Sequence, residues 1–222
     1  MIRRFIILIL LFFGGITSAQ EQDFRTWIEF ELEGELFNLI DFSITPEARL
    51  ENNSTHLDDL LGEIDLSVPL TKWLRTGLEY RYQLSFDYDD QISNTNRFGA
   101  YLELDERIAD FRLAYRAMYL HEYTDIYTSE QGRIPESMHR HKLSVKYRKK
   151  GWKITPGLAA EGFYTLSPVW DRNKYKWRFT TGVQFRLTKD INLGVNYKFQ
   201  REFNQNNPLT AHILNMGLEY EL

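Results

Sequence analysis

The chain has 222 residues, 27 basic and 31 acidic, with no cysteine and a net charge of −4. The acidic balance argues against nucleic acid as a partner, and the lack of cysteine excludes disulfides and Cys-based zinc sites. Aromatic residues make up 15% of the chain although mean hydropathy is −0.45, which suits strands with one greasy and one polar face.

The first nineteen residues read as a secretory signal peptide. Arg3 and Arg4 form a basic start, Phe5 to Phe13 an apolar core, and Thr17-Ser18-Ala19 a small-residue cleavage site, so Gln20 would open the mature chain. The apolar run falls short of the ~20 residues a membrane-spanning helix needs. Without Arg3 and Arg4 the remaining 25 basic residues face 31 acidic ones, a charge of −6. The expected organisation is a signal peptide over 1–19 and one barrel over 20–222.

From about Thr26 onward, alternate side chains are apolar, the period of a β-strand. Eleven candidate strands follow. The first sets Ile28, Phe30 and Leu32 against Glu29, Glu31 and Glu33; the second sets Phe42, Ile44 and Ala48 against Ser43, Thr45, Glu47 and Arg49. The third alternates Ile64, Leu66 and Val68 with Glu63, Asp65 and Ser67; the fourth alternates Leu78, Tyr80 and Tyr82 with Gly77, Glu79 and Arg81. Phe98, Ala100 and Leu102 oppose Arg97, Tyr101 and Glu103 in the fifth, and Leu113, Tyr115 and Ala117 oppose Arg112, Ala114 and Arg116 in the sixth. The seventh and eighth place Leu143 and Val145 against Lys142 and Lys146, and Ile154 and Leu158 against Lys153, Thr155 and Glu161. The ninth is the cleanest, with Tyr175, Trp177, Phe179, Val183 and Phe185 opposite Lys176, Arg178, Gln184 and Arg186. The tenth carries Leu193, Val195 and Tyr197 opposite Asn196 and Lys198, and the last carries Leu214, Met216, Leu218 and Tyr220 opposite Asn215, Glu219 and Glu221.

Connections alternate in length. Short ones fall near Pro69–Lys72, Asp105–Asp110, Arg148–Gly151 and Thr188–Asp190; longer polar ones fall near 52–59, 85–96, 121–136, 165–174 and 201–210. This is the habit of an antiparallel up-and-down transmembrane β-barrel, with short periplasmic turns and longer extracellular loops. Such barrels in bacteria have even strand numbers, so eleven candidates imply either ten wall strands, the first being irregular, or twelve with one unread.

The ending, Asn215-Met216-Gly217-Leu218-Glu219-Tyr220-Glu221-Leu222, resembles the C-terminal signal read by the outer-membrane barrel assembly machinery, with Asn215, Gly217, Tyr220 and Leu222 at its specified places. Leu222 replaces the common terminal Phe. Trp27 in a first strand, a second strand ending in Glu47-Ala48-Arg49, and Ser18-Ala19-Gln20 at the cleavage site are similar to the DUF2490 family of Bacteroidetes outer-membrane proteins. The resemblance implies a barrel over nearly the whole mature chain and no transferable activity.

Two girdles of interfacial aromatics are expected: Trp73, Trp152 and Tyr147 near the short turns, and Tyr119, Tyr175, Trp177 and Tyr197 near the long loops. The inward charges divide into an acidic sector (Glu29, Glu31, Glu33, Glu47, Glu63, Asp65, Glu219) and a basic sector (Arg112, Arg116, Lys142, Lys146, Lys153, Lys176, Arg178, Arg186) expected to meet across the lumen. That favours a largely filled lumen over a narrow, weakly selective pore. His139 and His141 share a strand face and His121 ends the preceding strand, the nearest approach to a metal or hydrolase set, with Ser137 close by in sequence. No phosphate loop or nucleophile elbow appears. The expected protein is a non-enzymatic outer-membrane barrel without cofactor, whose partners are membrane lipid, lipopolysaccharide and the assembly machinery. A rim-site hydrolase or acyltransferase is the alternative enzyme.

Overall fold

A computed structural model describes residues 22–89, 91–125, 134–166, 175–204 and 208–222. The signal-peptide stretch 1–19, Asp90, half of the expected loop 121–136, most of 165–174 and residues 205–207 lie outside the described residues. What is described is all β: β1 (Gln22–Leu36), β2 (Ile40–Glu51), β3 (His56–Pro69), β4 (Leu74–Phe86), β5 (Ile92–Ile108), β6 (Phe111–Asp125), β7 (Ile134–Tyr147), β8 (Ile154–Leu166), β9 (Tyr175–Arg186), β10 (Ile191–Phe203) and β11 (Thr210–Glu221). Each strand pairs with its chain neighbours, and β1 with β11, in one closed barrel.

All pairings are antiparallel except the seam, where β1 and β11 run parallel from Gln22↔Thr210 to Glu33↔Glu221. The expectation of ten or twelve strands is thereby corrected. Among the described residues there are eleven, and the first is a full 15-residue wall strand. With an odd number of alternating strands, the first and last necessarily run the same way. Gln22 therefore stands at the long-loop end and Leu36 beside the C-terminus at the short-turn end. The backbone stays paired along the seam, because a parallel ladder still joins N–H and C=O groups, slightly less stably per residue than an antiparallel one. Leu222 N adds a bond to Glu33 O at 3.0 Å and Glu221 N one to Asp190 O at 2.9 Å.

Strand ends reach further than the loop-like composition suggested. β5 runs to Ile108, leaving only Ala109 and Asp110 as a turn; β4 and β5 are separated by 87–91 rather than 85–96. The loop expected over 52–59 is a four-residue turn, with Asn52, Asn53 and Ser54 at φ 52°, 57° and 63° and Thr55 N bonded to Glu51 O. Asparagine tolerates this left-handed region better than most residues, which is why a polar run can close a tight hairpin.

The register fixes which side chains share a face. Ile28, Met216, Phe30, Leu218, Leu32 and Tyr220 are cross-seam partners pointing outward, and Glu29, Gly217, Glu31 and Glu219 point inward. Apolar side chains dominate the outward faces, and Ile28, Ile64, Leu78, Leu102, Leu143, Leu158 and Phe179 among them are exposed. No second layer covers them among the described residues.

Candidate functional site

An eight-stranded barrel is just wide enough for its own side chains, so eleven strands enclose a lumen that must be filled or left wet. Here the two outcomes are stacked by height. In the long-loop half, inward apolar residues form two clusters: Trp27, Ala211 and Ile213 at the seam with Leu209, and Tyr101, Met118 and Leu120 opposite with Met138. Leu120 and Ile213 are fully buried. Between the clusters lie arginine–carboxylate pairs. Arg81 bonds Glu63; Arg97 bonds Glu79 at 2.9 Å, Arg140 bonds Glu161 at 2.9 Å and Arg49 bonds Glu47 at 2.7 Å.

Trp27 sits at the centre of this plug. The guanidinium of Arg49 lies 4.2 Å from its ring, that of Arg178 4.9 Å and the ammonium of Lys198 4.7 Å. The π-face attracts these cations and so offsets part of the cost of holding three of them around one ring. Phe163 does the same for Lys176 at 4.7 Å and Arg178 at 5.1 Å. Tyr101 is fixed by Asp65, which accepts its hydroxyl proton at 2.7 Å, and by Arg116 at 4.0 Å over its ring. Its phenol lies over Gly77, where any Cβ would collide with it.

Below these clusters the lumen holds a cavity of about 560 Å³, whose lining runs from Trp27, Leu61 and the Arg81–Glu63 and Arg140–Glu161 pairs down to the short turns. Small residues make it: Ala114, Gly157, Ala159, Gly182, Gly194 and Gly217 all line it. On the seam wall, Glu31, Glu33 and Glu219 bring carboxylate oxygens within 4.8 Å of one another, the one group of described residues that converges as metal ligands would. Lys146 faces them across the space, and Lys198 faces Glu29. Arg112 and Arg116 are taken up by Asp105 at 2.7 Å and Glu103 at 2.6 Å. At the rim, burial and the neighbouring Arg112 guanidinium hold Arg148 below the ordinary arginine range.

Acidic and basic side chains thus meet mainly between neighbouring strands, not across the lumen as the two-sector reading expected. Partners on adjacent strands stand ~5 Å apart, well within reach, whereas the opposite wall demands a full side-chain extension. Cross-lumen approaches among the described residues include Arg116 to Asp65 at 4.0 Å and Arg178 to the Trp27 ring, beside Lys146 facing Glu31 and Glu219. Glu47, Glu63 and Asp65 are consequently met by Arg49, Arg81 and Tyr101, and Glu29, Glu31, Glu33 and Glu219 form the acidic surface. Lys142 and Lys146 line the cavity. Lys153 lies on the β7–β8 turn and Arg186 at the short-turn rim, both exposed and outside the cavity lining.

The model of one protein family, described as "Protein of unknown function (DUF2490)", matches residues 24–210. The chain belongs to the DUF2490 family. No curated protein matches it. In this DUF2490 barrel the residues behind the sequence resemblance meet at one point: Trp27 and Arg49 are register partners on β1 and β2, stacked ring on guanidinium, with Glu47 holding Arg49.

On the outer face of the DUF2490 barrel, aromatics gather at both ends. Phe111, Tyr147 and Trp152 pack together near the short turns, with ring centroids 5.1 and 5.9 Å apart, and Trp73 is exposed nearby in the β3–β4 turn. Tyr119, Tyr175, Trp177 and Tyr197 are exposed outward toward the long-loop ends. The histidines do not converge on a metal. His141 bonds Tyr115 at 2.9 Å, His139 packs on Tyr119, His212 bonds Tyr197 at 2.6 Å, and His56 stacks on Tyr88. His121 bonds Ser137 at 2.7 Å. At the C-terminus, Asn215 is buried in the lumen, Gly217 faces Glu29, and Tyr220 and Leu222 are exposed.

Sequence reasoning missed Leu61, Met118, Leu120, Met138, Phe163 and Ile213 as inward residues, and Arg140 as the partner of Glu161. The signal was available in the unbroken period of two, which carries the Lys142–Lys146 face back to Arg140 and Met138.

Proposed function

We propose that this DUF2490 protein is an integral outer-membrane barrel whose lumen is closed to solute passage, with its short turns and both the C-terminus and the charged cavity toward the periplasm. The uncovered apolar wall carries the reading. Each large apolar side chain left in water forgoes about 1.5–3 kcal/mol of burial, and a closed barrel has no other surface on which to bury them. Lipid supplies the cover, and the aromatic bands at both ends fit its interfaces. Lipid, lipopolysaccharide at the long-loop end and the assembly machinery that reads 215–222 are then its natural partners.

The pore reading is weakened by the plug. Ion passage past Trp27, Leu120 and Ile213 requires breaking arginine–carboxylate pairs that the low-dielectric wall holds, at about 3–5 kcal/mol for each partner left alone. Cell fractionation with heat-modifiable gel mobility tests the placement. The protein should travel with outer membranes and run faster before boiling than after. Recovery in the soluble periplasmic fraction would remove the proposal.

A further inference from the structure

Ser137 and His121 are register partners on β7 and β6, both on the outward face. Ser137 Oγ lies 2.7 Å from His121 Nδ1, and the Tyr119 hydroxyl donates to the same Oγ at 3.0 Å. Tyr123 packs its ring edgewise on the imidazole, centroids 4.7 Å apart, fixing its plane. A serine hydroxyl in hydrogen-bond contact with a histidine base is the minimum of an activated nucleophile. Tyr115–His141 and Tyr197–His212 are outward tyrosine–histidine hydrogen bonds without a serine, so interfacial anchoring accounts for those pairs but leaves the Ser137–His121 contact unexplained.

A second, independent feature adjoins it. A groove of about 690 Å³ runs on the outer wall, with Tyr119 and His139 at its head. It follows two successive register rows, His139–Tyr119–Ala100–Leu78–Leu66 and His141–Ala117–Leu102–Thr76–Val68. Ala100 and Ala117 hollow the wall where neighbouring strands carry leucine or tyrosine. Its far end is Ile40, the first residue of β2, so it descends from the aromatic band at the long-loop side to the short-turn end. That is the path of an acyl chain hanging from an ester at headgroup depth.

We propose that Ser137 and His121 form a catalytic pair that cleaves a long-chain acyl ester of a membrane lipid, with the chain lying in this groove. The Ser137 Oγ–acyl carbon bond forms as the ester C–O bond breaks. His121 takes the serine proton and delivers it to the departing alcohol. Water then attacks the acyl-serine and releases the fatty acid, returning the proton to Ser137. Tyr119 supplies the O–H nearest the carbonyl oxygen as it gains charge. Lipid as substrate rests on the membrane placement above; the chemistry of Ser137 does not.

The test is covalent labelling of the purified full barrel in detergent with a hexadecyl fluorophosphonate, and with an ethyl one for comparison. Heat-modifiable mobility confirms folding of each variant. The wild type should be labelled on Ser137, S137A not at all, and H121F at least 100-fold more slowly, the scale of a lost general base. Ala117→Leu should slow labelling by the hexadecyl probe about tenfold more than labelling by the ethyl probe. Fatty acid released from phosphatidylethanolamine vesicles or from lipopolysaccharide identifies the source of the ester. An unlabelled folded wild type, equal labelling of S137A, or labelling with no fatty acid released from either lipid overturns the assignment.

Discussion

Three cations share the ring of Trp27, and that ring also closes the seam cluster with Ala211 and Ile213. Trp27→Ala removes the π-face, separates like charges less well, and leaves a hole, a loss of about 3–5 kcal/mol. Trp27→Phe keeps the face and should cost less than half of that. Both values are read from the midpoint of guanidinium unfolding, and equal midpoints for W27A and wild type would refute the role. Gly217 makes a second residue-scale case. A Cβ there would stand 2.8 Å from Glu29 Oε1, so Gly217→Ala should cost about 1–3 kcal/mol by overpacking. In an Glu29→Ala background the same change should cost less than half as much, and an unchanged cost would show that Glu29 is not the obstacle. The sequence reading took this glycine for part of an assembly signal. Its packing role was invisible because Glu29 lies far away in the chain and next to it only across the seam.

At the level of strands, the period of two was enough to place all eleven and to orient the faces of each, because register slips would turn every side chain around. Eleven candidates were readable too, but the even count usual in bacterial barrels turned them into an expectation of ten or twelve. Strand direction alternates locally, and only closure of the whole ring reveals that β1 and β11 run parallel. The ends were harder: Asn52–Ser54 looks like a loop by composition and is a hairpin turn by backbone conformation. The cysteine-free chain offers a clean test of the seam. In the outward pair Ile28 and Met216, which are register partners, an I28C/M216C variant should form a disulfide under mild oxidation. I28C/Y220C, displaced along the strand, should not. Cross-linking of the second pair in place of the first would refute the parallel register.

For the molecule as a whole, the lumen divides by height where the alternating charges suggested a division by side. The cause is that inward positions near the long loops carry Leu61, Met118, Leu120, Met138 and Ile213, while those near the short turns carry glycine, alanine and charge. Strand-by-strand lists of opposed charges conceal this, since height emerges only when the register of neighbouring strands is stacked. Arg140 shows the same difficulty. It sits between His139 and His141, which the sequence placed on one face of the seventh strand while the inward residue between them went unread. The lumen closure proposed above requires that no continuous water path crosses the barrel. Single-channel recording of the wild-type protein in planar bilayers, with folded insertion verified by heat-modifiable mobility, measures that directly. A closed lumen gives a flat current at all holding potentials, and discrete, ohmic unitary steps from the folded wild type would contradict it.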